Sequence, residues 1–280
     1  MNQFNVSEFS GKSIALKANF NSADPFPAST HIDTLRYIIK NINENGIDEI
    51  TLAERSGMGN TRNVLEKMGV FELADEMGFN VSILNEIDKD EWVKIKKDNT
   101  HWLRGFYLPE LFLKSSGVIQ TCCLKTHRFG GHFTLSLKNS VGIVAKKVPG
   151  GVYDYMAELH ISPNQRKMIA EINKYYNVDF VIMDALKAFI TKGPETGEIV
   201  EPNLLIASSD RVAIDAVGVA VLRNYGVKTD IKKGKIFDLT QIKRAGELGI
   251  GAKSADDIEI IPLNEDSKED AKNIEKLLGE

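Results

Sequence analysis

Cysteine is nearly absent from this sequence. The 280 residues include two cysteines, and these are the neighbours Cys122 and Cys123 in an apolar segment. Two adjacent thiols exclude a disulfide framework, and they are fewer than the roughly four thiolates that an iron–sulfur cluster takes from one chain. We interpret both as small apolar residues of a buried strand, with a share in a metal site as the alternative.

Long apolar runs and an excess of positive charge are also missing. No stretch approaches the ~18 consecutive apolar residues of a membrane span, and Met1 to Gly11 has no cationic start followed by an apolar run. The formal net charge is −4, the opposite of the basic character of most nucleic-acid-binding proteins. We therefore expect a cytoplasmic protein that binds neither membranes nor nucleic acid.

The composition that remains is that of a soluble globular protein, with 42% hydrophobic and 26% charged residues. No break in composition marks a second domain, so we predict a single domain over residues 1–280. Strand-like and helix-like segments alternate along the chain. This order predicts an α/β fold, with a mostly parallel sheet and helices on both faces.

The pattern of apolar residues gives approximate bounds for the main elements. Strands are predicted at 13–20, 48–54, 80–84, 117–124, 178–183 and 258–262, and the main helices at 31–45, 61–67, 72–77, 108–116, 164–176, 212–222 and 266–278. Ser29 or Thr30 is the expected cap of the first helix. The segment 189–208 contains Gly193-Pro194 between extended stretches, which predicts a hairpin-like excursion.

Polar residues follow several predicted strands at the point where each strand stops. Because ligands of open α/β sheets bind beyond the carboxyl ends of the strands, these residues are the candidates for a ligand site. We expect Lys125, His127 and Asp184 to act in catalysis. The residues expected to bind the substrate are Lys17, Asn19, Glu54, Lys138, Asn139, Asp210 and Asp215.

Each residue type has a chemical reason to be in this set. Lysine ammonium groups neutralise an anionic ligand, and the imidazole of His127 donates a hydrogen bond or moves a proton near neutral pH. Asp184 would orient that imidazole or hold a divalent cation. The glycine pair Gly130-Gly131 is expected to fold the segment with Lys138 back over the same edge of the sheet.

The two carboxylates near the predicted helix at 212–222 have structural explanations as well. Asp210 lies where a helix cap is needed. Asp215 interrupts a helix that is otherwise apolar on every side, so it must be buried and must accept hydrogen bonds from a nearby donor. The histidines show no metal-ligand spacing, which argues against a closed histidine zinc site.

Five short motifs, taken in order, resemble the signatures of the family named domain of unknown function 362. They are Lys125-Thr126-His127, Ser136-Leu137-Lys138-Asn139 with Gly142, Asp184-Ala185, Gly193-Pro194 with Gly197, and Ser209-Asp210 through Asp215-Ala216. Family members often read Lys-Pro-Asn where this chain has Lys17-Ala18-Asn19. Many also carry a ferredoxin-like cysteine run, which this sequence lacks, so no iron–sulfur cluster is expected in this chain. The segment from His127 to Lys138 is also similar to a histidine, glycine and lysine segment of the lactate racemase family.

Two hypotheses about function follow. The first is a binder of, or an enzyme acting on, a small anionic metabolite at the carboxyl ends of the strands, with a divalent cation as a conceivable cofactor. The second is a non-catalytic accessory protein that docks onto a redox or maturation complex. Its interface would be the aromatic segment 88–107, which contains Trp92, Trp102, Phe106 and Tyr107.

Overall fold

Alternating strands and helices make up the protein, whose computed structural model describes residues 10–47, 49–129 and 132–280. The strands are β1 (Ser13–Lys17), β2 (Glu49–Glu54), β3 (Asn80–Ile83), β4 (Trp92–Ile95), β5 (Phe106–Pro109), β6 (Gly117–His127), β7 (His132–Thr134), β8 (Phe180–Phe189), β9 (Ile199–Val200) and β10 (Leu204–Ser208). The α-helices are α1 (Ile32–Glu44), α2 (Thr61–Lys67), α3 (Val70–Met77), α4 (Glu110–Lys114), α5 (Ser136–Asn139), α6 (Tyr155–Ile161), α7 (Gln165–Ile172), α8 (Arg211–Asn224), α9 (Thr240–Glu247) and α10 (Ser267–Gly279).

Parallel pairing dominates the centre of the main sheet. The strand order is β10-β8-β6-β1-β2-β3, and the four pairs from β8 to β3 are all parallel. The antiparallel pairs lie at the margins, where β10 and β9 pair with β8 and β7 pairs with β6. The predicted α/β fold with a mostly parallel sheet is therefore confirmed, and the β8–β9 pair is the expected hairpin-like excursion.

Helices cover both faces of this sheet and enclose two separate cores. One core contains residues of α1, α2 and α3, such as Leu35, Leu65 and Leu73, together with Leu16 of β1. The other contains residues of α7 and α8 on the opposite face. This arrangement places the carboxyl ends of β1, β2 and β6 at one edge, because these strands run in the same direction.

The loop between β1 and α1 differs from the prediction. His31 caps α1 by accepting a hydrogen bond from the amide of Asp33. The expected caps serve the loop instead: Ser29 donates to the carbonyl of Ser22, and Thr30 accepts from the amide of Asn19. These bonds fix the loop that follows β1, and Asn19 is held within it.

Four strand predictions differ from the structure by three residues or more. The strand predicted at 13–20 ends at Lys17, and the one predicted at 117–124 continues to His127. β8 does not stop at Met183 but continues to Phe189, because its far half finds partners in β6 and β9. The segment 258–262 forms no strand, and no ladder partner for it exists among the described residues. An apolar stretch becomes a strand only where a neighbour satisfies its backbone groups.

The aromatic segment 88–107 is built into the core. β4 and β5 form a small antiparallel pair, and Trp102 and Phe106 are fully buried. The indole nitrogen of Trp102 donates to the carbonyl of Met168. The expectation that these two rings anchor a partner protein is wrong, because neither is accessible. In the described ranges, no helix has the length and apolar character needed to span a membrane.

Candidate functional site

A cavity of about 160 Å³ lies beyond the carboxyl ends of β1, β2 and β6. We call it the lysine cavity. Seven of the ten residues singled out in the sequence line it: Lys17, Asn19, Glu54, Lys125, His127, Lys138 and Asn139. They meet because Lys17, Glu54 and His127 are the last residues of three strands that run in the same direction.

Lys17 and Glu54 form a buried ion pair at the base of the cavity. The Lys17 Nζ atom lies 2.7 Å from Oε1 and 2.9 Å from Oε2 of Glu54. It also donates to the carbonyl of Ala18 at 2.6 Å and to Oδ1 of Asn139 at 3.2 Å. Burial lowers the pKa of Lys17, although Glu54 opposes that shift. With its charge balanced and its donors used, Lys17 holds neighbouring strands together and has no N–H left for a ligand.

Glycine at position 142 allows the chain to pass close to this ion pair. A Cβ atom there would lie 2.9 Å from the Lys17 Nζ atom and 3.1 Å from Oε1 of Glu54. Gly142 follows α5, so its lack of a side chain brings α5 over the strand ends. This approach accounts for the position of Lys138 and Asn139 in the cavity. Gly130 and Gly131, the predicted turn, lie outside the described residues.

Lys125 is fully buried, and no carboxylate among the described residues is bonded to it. Its Nζ atom donates to Oδ1 of Asn19 at 2.7 Å and makes a second, very short contact with the carbonyl of Ala28. Burial lowers the pKa of Lys125. The carboxylate of Glu195 contributes attraction from a distance but is paired with Arg128. An ammonium group has three N–H donors, so one donor of Lys125 is available to a ligand.

Lys138 differs from both other lysines, because its ammonium group has no hydrogen bond or ion pair within the described residues. Burial, and after it the positive charges of Lys125 and Arg55, together lower its pKa to about 7. Thr134, which also lines the cavity, has a buried hydroxyl without a partner among the described residues. Buried polar groups are normally satisfied, so the unpaired hydroxyl of Thr134, in one cavity with the partly exposed and unpaired Lys138, points to a ligand.

His127 is held as a neutral imidazole. Burial lowers its pKa to about 2, and the charges of Lys138 and Lys125 act in the same direction. The Nδ1 atom of His127 lies 3.1 Å from the amide of Phe129, from which it can accept, and 3.2 Å from the carbonyl of Phe129, to which it can donate, so either ring nitrogen can carry the proton. As a neutral imidazole, His127 donates a hydrogen bond through one ring nitrogen and accepts through the other. The expectation of a histidine that titrates near neutral pH does not fit this environment.

Arg55, Lys146 and His160 also line the cavity, although the sequence did not single them out. The Arg55 guanidinium is buried and donates to the carbonyls of Val144 and Val141 at 2.8 Å and 2.6 Å. Burial lowers its pKa to about 10, so it stays charged at neutral pH. The sequence feature that could have identified Arg55 is its position directly after Glu54, at the end of β2. Lys146 and His160 lie in a loop and a helix that only the folded chain brings here.

The charges around the cavity are strongly unbalanced. Five cationic side chains line it, Lys17, Arg55, Lys125, Lys138 and Lys146, against the single carboxylate of Glu54. Glu54 is already paired with Lys17. Four positive side chains thus face the cavity without a bonded carboxylate in the described part of the chain, in a protein whose net charge is −4.

Asp184 does not line the cavity. It lies in the middle of β8, opposite Cys123, because that strand continues past it. Its carboxylate accepts from the hydroxyl of Thr34 at 2.6 Å and from the amide of Leu186 at 3.1 Å, and burial raises its pKa. It neither contacts His127 nor shares a cavity with it, so the expected orienting role is not supported by the geometry.

Asp210 and Asp215 lie away from the cavity as well. Asp210 caps α8 by accepting from the amides of Val212 and Ala213, and it also accepts from Ala252 at 2.7 Å. Asp215 is completely buried, as predicted, and accepts from the amide of Leu137 at 3.3 Å. Burial raises the pKa of Asp215 to about 8. Because Leu137 precedes Lys138, this bond holds the backbone next to Lys138. Asp215 itself does not line the cavity.

No cluster of three or more histidine, cysteine, aspartate or glutamate side chains suited to a metal ion occurs in residues 10–47, 49–129 and 132–280. The predicted residues around the cavity are mainly donors of hydrogen bonds. Donors and positive charges favour an anion over a cation at this place.

Comparison with known proteins gives one family match. The family model described as "Domain of unknown function (DUF362)" matches residues 14–220, a range that includes every residue lining the lysine cavity. No curated protein matches the chain. Among solved structures, the lactate racemase apoprotein from Thermoanaerobacterium thermosaccharolyticum is similar, with 15% sequence identity and a TM-score of 0.45. That match covers 73% of this chain and 47% of the racemase, so this chain spans about half the length of that protein. At this level of similarity, no property of the racemase is carried over.

Proposed function

This chain belongs to the DUF362 family, and we propose that it binds a small anionic metabolite in the lysine cavity. The observation that carries the proposal is the ammonium group of Lys138, which has no hydrogen bond or ion pair within the described residues and lies in a cavity where four of five positive side chains lack a bonded carboxylate there. The lowered pKa of Lys138 shows that its ammonium group is poorly solvated, and an anionic ligand would offset that cost.

The donors around the cavity suit a carboxylate or a phosphate. Lys138 supplies an unpaired ammonium group, Lys125 has one N–H left, and Thr134 has an unpaired hydroxyl. Hydrogen bonds from charged donors to an anionic oxygen are about twice as strong as neutral ones. The lysine cavity would therefore hold the anionic end of a ligand through Lys138, Lys125 and Thr134.

The size of the cavity limits the ligand to a small molecule. Its volume of about 160 Å³ is well below the ~300–1,000 Å³ of pockets for drug-sized ligands. A compact carboxylic acid or a small phosphate ester fits this space better than a nucleotide or a peptide. The net charge of −4 for the whole chain makes the positive cavity a local feature that concentrates anions there.

A thermal-shift screen with acetate, malonate, succinate and phosphate tests the proposal, with acetamide as the neutral counterpart of acetate. A ligand at about 100 times its Kd stabilises a protein by roughly 2.7 kcal/mol. We expect at least one anion to raise the Tm and acetamide to have no effect.

Two variants assign the effect to the cavity. Lys138→Met removes an ammonium group that has no hydrogen bond or ion pair within the described residues, so the fold should tolerate it while the response to the anion disappears. Lys272→Met, on the exposed side of α10, should respond like the wild type. If no anion raises the Tm, or if Lys138→Met responds like the wild type, the proposal is wrong.

A further inference from the structure

We propose that Lys138 is a catalytic residue: its amine forms an imine with the carbonyl carbon of a small 2-oxo acid bound in the lysine cavity. This inference rests on the proposed anion site and names the class of its ligand. A 2-oxo acid carries a carboxylate, which the cavity would hold, next to a carbonyl group, which an amine can attack.

The bonding of the three lysines distinguishes Lys138 as the nucleophile. The nitrogen of Lys17 is held by Glu54, Asn139 and the backbone, and that of Lys125 by Asn19 and the carbonyl of Ala28. The nitrogen of Lys138 has no such bond within the described part of the chain, and its side chain is partly accessible. A lysine that forms an imine must have its nitrogen free to approach a carbon atom.

The surroundings of Lys138 also favour the neutral amine, the form that attacks a carbonyl. Burial and the nearby charges of Lys125 and Arg55 lower its pKa to about 7. Near neutral pH, about half of the molecules then carry a neutral amine, against roughly one in a thousand for an ordinary lysine with a pKa near 10.4. A desolvated lysine beside another cation is a known way to activate this nucleophile.

The remaining groups of the cavity fit the other atoms of the ligand. Lys125, with one unused N–H, and the buried charge of Arg55 would attract the carboxylate. His127, a neutral imidazole, would donate a hydrogen bond from Nε2 to the carbonyl oxygen in the tautomer in which Nδ1 accepts from the amide of Phe129. Such a donor stabilises the negative charge that develops on that oxygen during the attack.

The reaction is balanced without an oxidant or a reductant. The nitrogen lone pair of Lys138 forms a C–N bond, and the electron pair of the C=O bond moves to the oxygen. A proton passes from the nitrogen to that oxygen, giving a carbinolamine. Loss of this hydroxyl as water, with one proton taken from the solvent, leaves the protonated imine. The protonated imine withdraws electrons from the adjacent bonds of the ligand, which is the use that enzymes make of lysine imines.

Reductive trapping tests this proposal. The full chain is incubated with pyruvate and with glyoxylate in the presence of sodium borohydride, which delivers a hydride to an imine carbon and leaves a stable secondary amine. Intact mass and peptide mapping then locate the product. We expect one adduct per chain, on the peptide that contains Lys138, and no adduct with acetate.

Matched variants exclude a merely electrostatic role. Lys138→Arg keeps a positive charge but lacks the amine, so it should still bind acetate in a calorimetric titration while giving no adduct. Lys272→Met should be trapped like the wild type, because its lysine lies on an exposed face of α10.

The outcomes separate this inference from the anion site itself. Binding of acetate and pyruvate without an adduct, or adducts spread over many lysines without enrichment at Lys138, would overturn the imine while leaving the anion site in place. Absence of both binding and adduct would overturn both proposals.

Discussion

The affinity of the lysine cavity for an anion should fall as the pH rises above about 7, because Lys138 must be protonated to bind the anion electrostatically. Burial and neighbouring charges lower the pKa of Lys138 to about 7. An anion beside the ammonium group favours the charged form, so the pKa in the complex is higher than in the free protein. Binding therefore takes up a proton in the interval between the two pKa values.

The size of the effect follows from this linkage. Between the two pKa values, the affinity falls by up to about tenfold for each pH unit, or roughly 1.4 kcal/mol. If the anion returns Lys138 to an ordinary pKa near 10.4, the affinity falls by about fiftyfold from pH 7 to pH 9, since about half of the free lysine is already neutral at pH 7. Below pH 7 Lys138 is already protonated, so its contribution is constant there.

The other titratable groups around Lys138 do not reverse this direction. His127 stays neutral over the whole interval because its pKa is about 2. Arg55 keeps its charge, with a pKa of about 10. Burial lowers the pKa of Lys125 as well, so any loss of its proton would also weaken binding at high pH. Lys146 and His160 complete the set of basic groups that line the cavity.

Calorimetric titration with acetate at about pH 6, 7, 8 and 9, in buffers of different ionisation enthalpy, measures both the affinity and the proton uptake. We expect the wild type to take up a proton near pH 8 and to lose affinity above pH 7. Lys138→Arg should bind with little pH dependence, because arginine stays protonated. A wild-type affinity that is constant from pH 6 to pH 9, or that rises with pH, would refute this reasoning.

Three further predictions concern the residues that support the cavity. Because burial raises the pKa of Asp215 from 3.8 to about 8, the folded state binds this proton more tightly, so the free energy of unfolding should fall as the pH rises through that interval. Asp215→Asn should weaken that dependence in Tm measurements, and an unchanged pH profile would contradict it. Glu54→Gln should cost roughly 3–5 kcal/mol in urea unfolding because it leaves Lys17 buried without its counter-charge, and the double variant Lys17→Met/Glu54→Met should recover most of the loss. Lys125→Met should weaken anion binding. It should also lower the free energy of unfolding by about 1–3 kcal/mol, because two buried acceptors, Asn19 and Ala28, lose their donor. An unchanged unfolding curve would show that these two hydrogen bonds do not stabilise the fold.

Much of the fold could be predicted because its elements are set by local patterns. The bounds of α2 agree with its apolar spacing, and α8 is buried on every side as its composition indicates. Asp215 could be placed inside the core because its neighbours in the helix, residues 212–222, are apolar and pack on every side. These conclusions needed only one segment of sequence at a time.

The arrangement of the cavity was predictable where it depends on strand direction. Lys17, Glu54 and His127 come together because parallel strands end at one edge, and this rule needs no detail of packing. The rule did not apply to Asp184, because the end of β8 is decided by its partners β6 and β9 and not by its own residues. The hydrogen bonds of each lysine could not be predicted either, because they depend on loops such as the one that places Ala28 beside Lys125.

Crystals grown with the carboxylate that stabilises the protein most provide the most direct test of the central claim. We expect density for one anion in the lysine cavity, with an oxygen within about 3 Å of the Nζ atom of Lys138. An anion bound elsewhere on the protein, with only solvent beside Lys138, would contradict the account.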